Sequence, residues 1–498
     1  MITNRRRLPA RAGARWPVLA PLALAAALAA GCQPATPAAA PPTAAPAITA
    51  PTAAPTAPAA TGPRTKAEQQ PIAGGPVLLR TGISLRKVAA TGGGSIRLAR
   101  HPSTGDLYVL DPGKGLLRVK PDSGEITPVA KTTDIQAEGV PAGMAFGPDG
   151  TLYVVFNRAV NTRTQAIIRR GVAGQDGKFT WTTLAATRNY PLSNTPFDHL
   201  YNGVAVSPDG KSVFVNAGSR TDHGEVEDNG SAFPDTREVP LTSAIFRIPA
   251  DATDLELPND EAALKPYLFA DGTRNAYDPA FAPNGELFVG DNGPDADYPD
   301  ELNWIREGKH YGFPWRFGNQ DNPQQRPDYD GAKDERLQPD FTAVQKGTYR
   351  NDPTFPKPPG PFTDPVLNHG PDAAQYRGDD GQAHDAGAEG QPLYSFTPHR
   401  SPLGLVFADS DKMPADMRGN GDQLSAFLLS WGAAGGTLTD KGQDLLHIVL
   451  TKKGDNYEAT TEQIARGFKN PIDAVLVENR LYVLEFSGDS TIYELTFQ

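Results

Sequence analysis

Cysteine is almost absent from this 498-residue chain: Cys32 is the only one. No intramolecular disulfide can form. Zinc–thiolate centres, iron–sulfur clusters and a cysteine nucleophile are excluded on the same count. A covalent haem, which needs Cys-x-x-Cys-His, is excluded too. Positive charge is also scarce, at 47 Lys and Arg against 58 Asp and Glu, for a formal net charge of −11. A chain of that sign is repelled by nucleic acid and by anionic lipid, so its partners are expected among neutral molecules, cations and basic proteins. The apolar run from Trp16 to Ala30 is shorter than the ~20 residues of a spanning helix. No long helical period occurs anywhere.

What is present at the N-terminus reads as a targeting segment. Arg5, Arg6, Arg7, Arg11 and Arg15 precede the apolar run, and Ala29-Ala30-Gly31-Cys32 follows it. Small residues before a cysteine predict a lipoprotein signal over residues 1–31 with the lipid on Cys32. The expected location is therefore the cell envelope, with membrane contact only through that anchor. Removing the five arginines of the leader takes the charge from −11 to −16. Residues 32–75 are mainly Pro, Ala and Thr. They cannot bury enough apolar surface to offset chain entropy, and they predict a disordered tether.

Residues 76–498 form one predicted domain. Its recurring phrase is an apolar strand, a Pro-x-Gly turn or its equivalent, and a second apolar strand. MAFGPDGTLYVVF, VAVSPDGKSVFVN and PAFAPNGELFVGD are three of the copies. Copies begin near Ser95, Ala142, Gly203, Ala276, Leu403 and Ile472. Six copies predict an all-β, six-bladed propeller of four-stranded blades, because each blade leaves a sheet face bare that its neighbours cover. The copies are unevenly spaced. Segments 221–240 and 317–398 interrupt them, and most of their residues read as solvated loop.

The densest chemistry lies between Asp271 and Trp315. Arg274-Asn275 precedes a hairpin turned at Pro283-Asn284-Gly285. Gly293-Pro294, Asp300-Glu301 and Tyr311-Gly312-Phe313-Pro314-Trp315 follow. Carboxylates and carbonyls in a Gly/Pro-rich loop are the hard oxygen donors that Ca²⁺ prefers. Together with Asp198-His199 and the run Pro398-His399-Arg400-Ser401-Pro402-Leu403-Gly404-Leu405, this order resembles the soluble glucose/sorbosone dehydrogenases. These are six-bladed propellers that use pyrroloquinoline quinone (PQQ) and calcium.

The resemblance implies a sugar substrate, an electron acceptor in the envelope, and a role for each matched residue. His199 would be the base that accepts a hydroxyl proton while hydride leaves the same carbon. Asp198 would either touch substrate hydroxyls or cap a turn. Arg274 would bind PQQ and stabilise charge on it, with Asn275 beside it. The carbonyls of Gly293 and Pro294 would hold the calcium that bridges to PQQ. Asp300, Glu301 and the Tyr311 backbone would hold a second calcium that clamps the loop. The chain departs from the family where Ser219 stands in place of an aspartate that orients the base, as in the sorbosone-type branch. It departs again where Ser430-Trp431-Gly432 and Phe468-Lys469-Asn470-Pro471 leave Lys469 as the one cation matched to the PQQ carboxylates. That scarcity keeps a second reading open, a non-catalytic, calcium-stabilised propeller that binds a carbohydrate or a protein. A propeller lactonase would need acidic residues from several blades around one ion, and the sequence shows no clear set.

Overall fold

The computed structural model describes residues 74–135, 138–378, 380–432 and 438–498. The signal, Cys32 and nearly all of the tether lie outside them. Among the described residues no helix is long and apolar enough to cross a membrane.

Six blades form the fold. Their inner strands are Arg97–Arg100, Val140–Phe146, Val204–Val206, Ala280–Phe281, Pro402–Phe407 and Pro471–Val477. Those of blades one to four run into the recurring glycine turn, at Gly105, Gly150, Gly210 and Gly285, whereas residues 408–422 follow the fifth and Glu478-Asn479 the sixth. In blade three the Gly210 N–H donates to Ser207 O at 2.8 Å, and Asp209 Oδ1 accepts the Lys211 N–H at 3.0 Å. In blade four the same places are taken by Gly285 on Ala282 O at 2.8 Å and Asn284 Oδ1 on the Glu286 N–H at 3.1 Å. Both glycines have positive φ, +72° and +82°, which a side chain would strain. The phrase recurs because one turn geometry recurs. Beyond the turn, central strands such as Leu287–Asp291 are buried throughout and read as continuous apolar runs.

The ring closes through its ends. Ile83–Ala90 pairs antiparallel with Thr491–Phe497, so the N-terminal strand completes blade six. At the axis Arg97 binds across the ring. Its Nε donates to Ala142 O at 2.9 Å and its Nη2 to Tyr277 O at 3.1 Å and to Asn202 O. Asp473 Oδ2 accepts the Leu98 N–H at 2.8 Å, and Asp278 Oδ2 accepts the Leu405 N–H at 3.2 Å. These bonds touch all six blades.

Two features differ from the sequence reading. Blade four has three strands, not four: Ala280–Phe281, Leu287–Asp291 and Glu301–Ile305. The polar turn Arg306-Glu307-Gly308 takes the chain out of the blade, and Lys309–His310 pairs in parallel with Leu268–Asp271 of blade three. The insertion 317–398 is not simply solvated loop. Asn322, Gln324, Asp334, Asp352 and Asn368 are all buried within it, and Phe341, Ala343 and Tyr349 make a small core with Phe197.

Candidate functional site

The recurring turns occupy one end of the inner strands, so the residues that enter those strands gather at the other. Loops 218–243 and 292–300, which follow the second strands of blades three and four, rise from that same end. This topology brings His199, Arg274 and Asn275 into one hydrogen-bonded network. The His199 N–H donates to Ser219 O at 2.9 Å, and the Ser219 N–H donates to Arg274 O at 2.7 Å. Asn202 Nδ2 donates to Asn275 Oδ1 at 2.8 Å and to His199 O at 3.3 Å. Asp291, at the end of a central strand, accepts the backbone N–H groups of Arg274 at 2.9 Å and Asn275 at 2.5 Å.

The tautomer of His199 follows from its neighbour. The Ser219 hydroxyl lies 2.8 Å from Thr221 O, which can only accept, so its single proton points there. Its lone pair then faces His199 Nδ1 at 3.0 Å, and Nδ1 must carry the hydrogen. Nε2 is left as the lone-pair nitrogen, with no hydrogen bond from any described residue. Burial, and after it the charge of Arg274, hold His199 well below the ordinary histidine value. The imidazole is therefore neutral at pH 7 and able to accept a proton.

Arg274 is held by an acid that the sequence did not single out. Its Nη2 donates to Asp222 Oδ1 at 2.7 Å, its Nε to Asp222 O at 2.8 Å, and its Nη1 to Asn292 O at 3.3 Å. Three of the five guanidinium N–H groups are engaged and two remain. The other oxygen of Asp222 faces His223 Nδ1 at 3.0 Å. Burial opposes charge on His223, but Glu225 and Asp222 outweigh it and raise the group to about 9, so it is an imidazolium. Burial also opposes charge on Asp222, and Arg274 and His223 overcome it to hold the carboxyl far below its usual range. Segment 219–225 is a buried ladder of alternating charge, invisible as such in a polar stretch of sequence.

The expected calcium donors divide into two sets. Neither the Gly293 nor the Pro294 carbonyl accepts a hydrogen bond from a described residue, and the neighbouring Asn292 Oδ1 is buried without a partner. Asp300 organises this loop: its Oδ1 accepts the Gly293 N–H at 2.8 Å and its Oδ2 the Ser401 N–H at 2.7 Å. Glu301 lies opposite Asp291 in the sheet register. Burial, with Asp291 close by, raises Glu301 to about 8, and burial raises Asp291 to about 6. Asn303 Nδ2 donates to Glu301 Oε2 at 2.9 Å while Asn303 Oδ1 is buried and unpartnered. The orphaned amide oxygen is a hard donor of the kind a divalent cation takes. Both carboxyls, however, are already hydrogen-bonded, Asp291 to the Arg274 and Asn275 N–H groups and Glu301 to Asn303 and the Gly318 N–H at 2.7 Å. Among the described residues no group of three or more His, Cys, Asp or Glu is placed to hold a metal ion. The Tyr311 hydroxyl is engaged elsewhere, on Trp304 O at 2.5 Å and the Arg306 N–H at 2.8 Å, and its own N–H donates to Asp271 O at 2.9 Å, so only its backbone carbonyl is left for such a role.

Of the remaining expected residues, Asp198 caps a turn, accepting the Ser193 and Asn194 N–H groups at 2.9 Å each. Lys469 is exposed at the entry to the sixth inner strand. Its N–H donates to Glu485 Oε1 at 2.7 Å, and no bond among described residues links its side chain to the His199 network. Sequence reasoning missed Asn202, Asp222 and the insertion residues that reach the network. Gln324 Nε2 donates to Asp222 Oδ2 at 3.3 Å, Asn322 Nδ2 to His223 O at 2.8 Å, and the Arg336 N–H to Asp295 Oδ2 at 2.6 Å.

Residues 102–345 match the family model described as Glucose / Sorbosone dehydrogenase. Quinoprotein glucose dehydrogenase B of Acinetobacter calcoaceticus is 26% identical over 242 residues, 42% of this chain and 47% of that protein. The chain thus spans about half the length of the curated relative it matches. Among solved structures, the soluble aldose sugar dehydrogenase of Escherichia coli in its apo form aligns with 84% of this chain and 100% of its own, with a TM-score of 0.52 at 16% identity. The holo form of the pyranose dehydrogenase PQQ domain from Coprinopsis cinerea aligns with 84% and 96%, with a TM-score of 0.50 at 11% identity. At these identities the likeness to the solved structures is one of fold.

Proposed function

We propose that this chain, whose residues 102–345 match the family model described as Glucose / Sorbosone dehydrogenase, is a PQQ- and calcium-dependent sugar dehydrogenase. Its substrate is an aldose or a sorbosone-like sugar, and its electrons pass to an acceptor in the envelope. The protein is tethered there by lipid on Cys32. The observation that carries this reading is His199: a neutral imidazole, its Nδ1 fixed by Ser219 and its Nε2 unengaged.

PQQ, when bound, supplies a quinone that accepts hydride. Arg274 and Asn275 would hold it, with Lys469 as a further cation, and the Gly293 and Pro294 carbonyls would be the donors that hold calcium. The two free N–H groups of Arg274 and the unengaged carbonyls fit that task. A second calcium, at Glu301 with Asp300 and the Tyr311 backbone, would steady the loop.

The chain's own work is proton transfer and positioning. Nε2 takes the hydroxyl proton of the sugar as the C–H bond breaks. Ser219 and Thr221 O keep the ring from turning. Ser219 carries no charge, so the imidazolium is short-lived and returns its proton readily to solvent.

The non-catalytic reading draws on a different observation, that Arg274 already has a full-strength partner in Asp222. One experiment separates the two. Purified protein with Ca²⁺ is titrated with PQQ by calorimetry, and dye reduction is then followed across a panel of sugars. Micromolar or tighter PQQ binding with sugar-dependent turnover supports the dehydrogenase. Absence of PQQ binding would sink it and leave the binding module.

A further inference from the structure

The cations close to this network are nearly all engaged. Arg274 lies on Asp222, His223 between Asp222 and Glu225, and His399 on Asp297, whose other neighbour is Arg377. Arg220 is surrounded by carbonyls of residues 191, 192, 227, 236 and 237. Arg336, in the insertion, differs. Its backbone N–H is pinned to Asp295 Oδ2 at 2.6 Å, and its Nε approaches Asp295 Oδ1 only to 3.8 Å. Its two terminal nitrogens have no partner among the described residues, and 19% of the side chain is exposed.

The position of Arg336 is defined by direct bonds. The Asp295 N–H donates to Asp222 Oδ1 at 2.9 Å, the same oxygen that holds Arg274. Arg336 therefore stands one carboxylate away from the Arg274 pair, and its charge is felt at His199. Its backbone is fixed while its fork is free. A planar fork with two open terminal nitrogens, held by its main chain one carboxylate away from the Arg274–Asp222 pair, matches a carboxylate in two parallel hydrogen bonds.

We propose that Arg336 is the carboxylate-binding residue of this site, carried by the insertion between blades four and five. It takes over a task for which the blades offer few cations. The proposal builds on the dehydrogenase reading in locating the ligand next to His199. The carboxylate has two possible sources, the cofactor or an acidic sugar such as a hexuronate, and both present the same chemistry to the fork.

The test uses the full-length protein with Ca²⁺, as wild type, Arg336→Gln and Arg336→Lys. PQQ and D-glucuronate are each titrated by calorimetry, glucuronate also without cofactor, and KM is measured for glucose and glucuronate. A cofactor carboxylate predicts PQQ affinity about 10- to 100-fold weaker in Arg336→Gln, with the glucose-to-glucuronate KM ratio unchanged. A substrate carboxylate predicts unchanged PQQ affinity, loss of glucuronate binding and an unchanged KM for glucose. In either case Arg336→Lys recovers only part, because a point charge does not reproduce the fork. Equal affinities for both probes in wild type and Arg336→Gln would overturn the assignment while leaving the dehydrogenase intact. If wild type fails to bind PQQ, the dehydrogenase reading falls, and glucuronate binding alone decides: lost in Arg336→Gln it upholds Arg336, and absent from wild type it overturns it.

Discussion

The ring and the insertion 317–398 are built on different physics. In the ring, backbone ladders join the strands within each blade, and the central strands bury continuous apolar side chains such as Leu107–Leu110 and Phe288–Val289. The insertion has few ladders. Its apolar cluster is small, and buried polar side chains hold it to segment 219–238: Asn322 on His223 O, Gln324 on Asp222, and Glu227 on the Thr342 and Ala343 N–H groups at 2.9 and 3.1 Å. An apolar seam tolerates exchange of one hydrocarbon for another. A polar seam does not, because each lost partner leaves a buried donor or charge behind. The candidate site lies where the two meet, which makes it stable in place and sensitive to single changes.

The largest expected effect is on chemistry. His199→Gln removes the base while leaving the cofactor contacts, so kcat should fall by about 10²–10⁴ with PQQ affinity unchanged. Stopped-flow reduction and calorimetry on the same sample would check this. Equal loss of affinity and rate would mean that His199 holds the cofactor instead.

Next in size is the seam itself. Asp222→Asn leaves Arg274 and His223 buried without their shared counter-ion, and stability should drop by about 3–5 kcal/mol in denaturant unfolding. If the variant unfolds like wild type, the polar seam is not what joins insertion to ring.

A smaller effect follows from pH. His223 is raised from 6.5 to about 9, so the folded state binds a proton more tightly than the unfolded chain. Its contribution is complete below 6.5 and is lost as pH rises through 9, on the order of 1–3 kcal/mol. Unfolding midpoints between pH 6.5 and 9 should decline in wild type and decline less in His223→Gln. Parallel curves would mean that the imidazole is neutral.

These contrasts also explain what could be read from sequence. The ring was legible because its information is periodic: the turn phrase with a positive-φ glycine, as at Gly210 and Gly285, marks blades one to four, and the apolar strand pairs alone mark the last two. The gathering of His199, Arg274 and Asn275 followed from that period, since residues entering inner strands must share one end. That blade four ends at its third strand was not legible, because the repeat predicts four strands per blade and only the pairing of Lys309–His310 with blade three shows where the chain has gone. Asp222, Gln324 and Arg336 were not legible for a different reason. A charged residue in a Pro/Gly-rich loop is usually solvated, and only the distant partner, 102 residues away for the Gln324–Asp222 bond, makes it part of a site.

The smallest effect is the most specific to this chain, and it concerns Ser219. A serine fixes the His199 tautomer without adding charge, and burial holds the imidazole well below 6.5. The acid limb of kcat/KM should therefore lie well below that value, and activity should be nearly flat through neutral pH. Ser219→Asp would set a carboxylate against Nδ1 and favour the imidazolium, raising the limb by roughly 1–2 units. Ser219→Ala supplies the control: it removes the anchor but adds no charge, so the rate should fall while the limb stays where it is. The Asp variant carries a cost, since its carboxylate would face Thr221 O, which now accepts the serine proton. Its melting temperature should fall even as its pH profile shifts. A limb that moves equally in both variants would show that Ser219 acts by excluding water rather than by setting the charge on His199, and the contrast with an aspartate-oriented base would lose its basis.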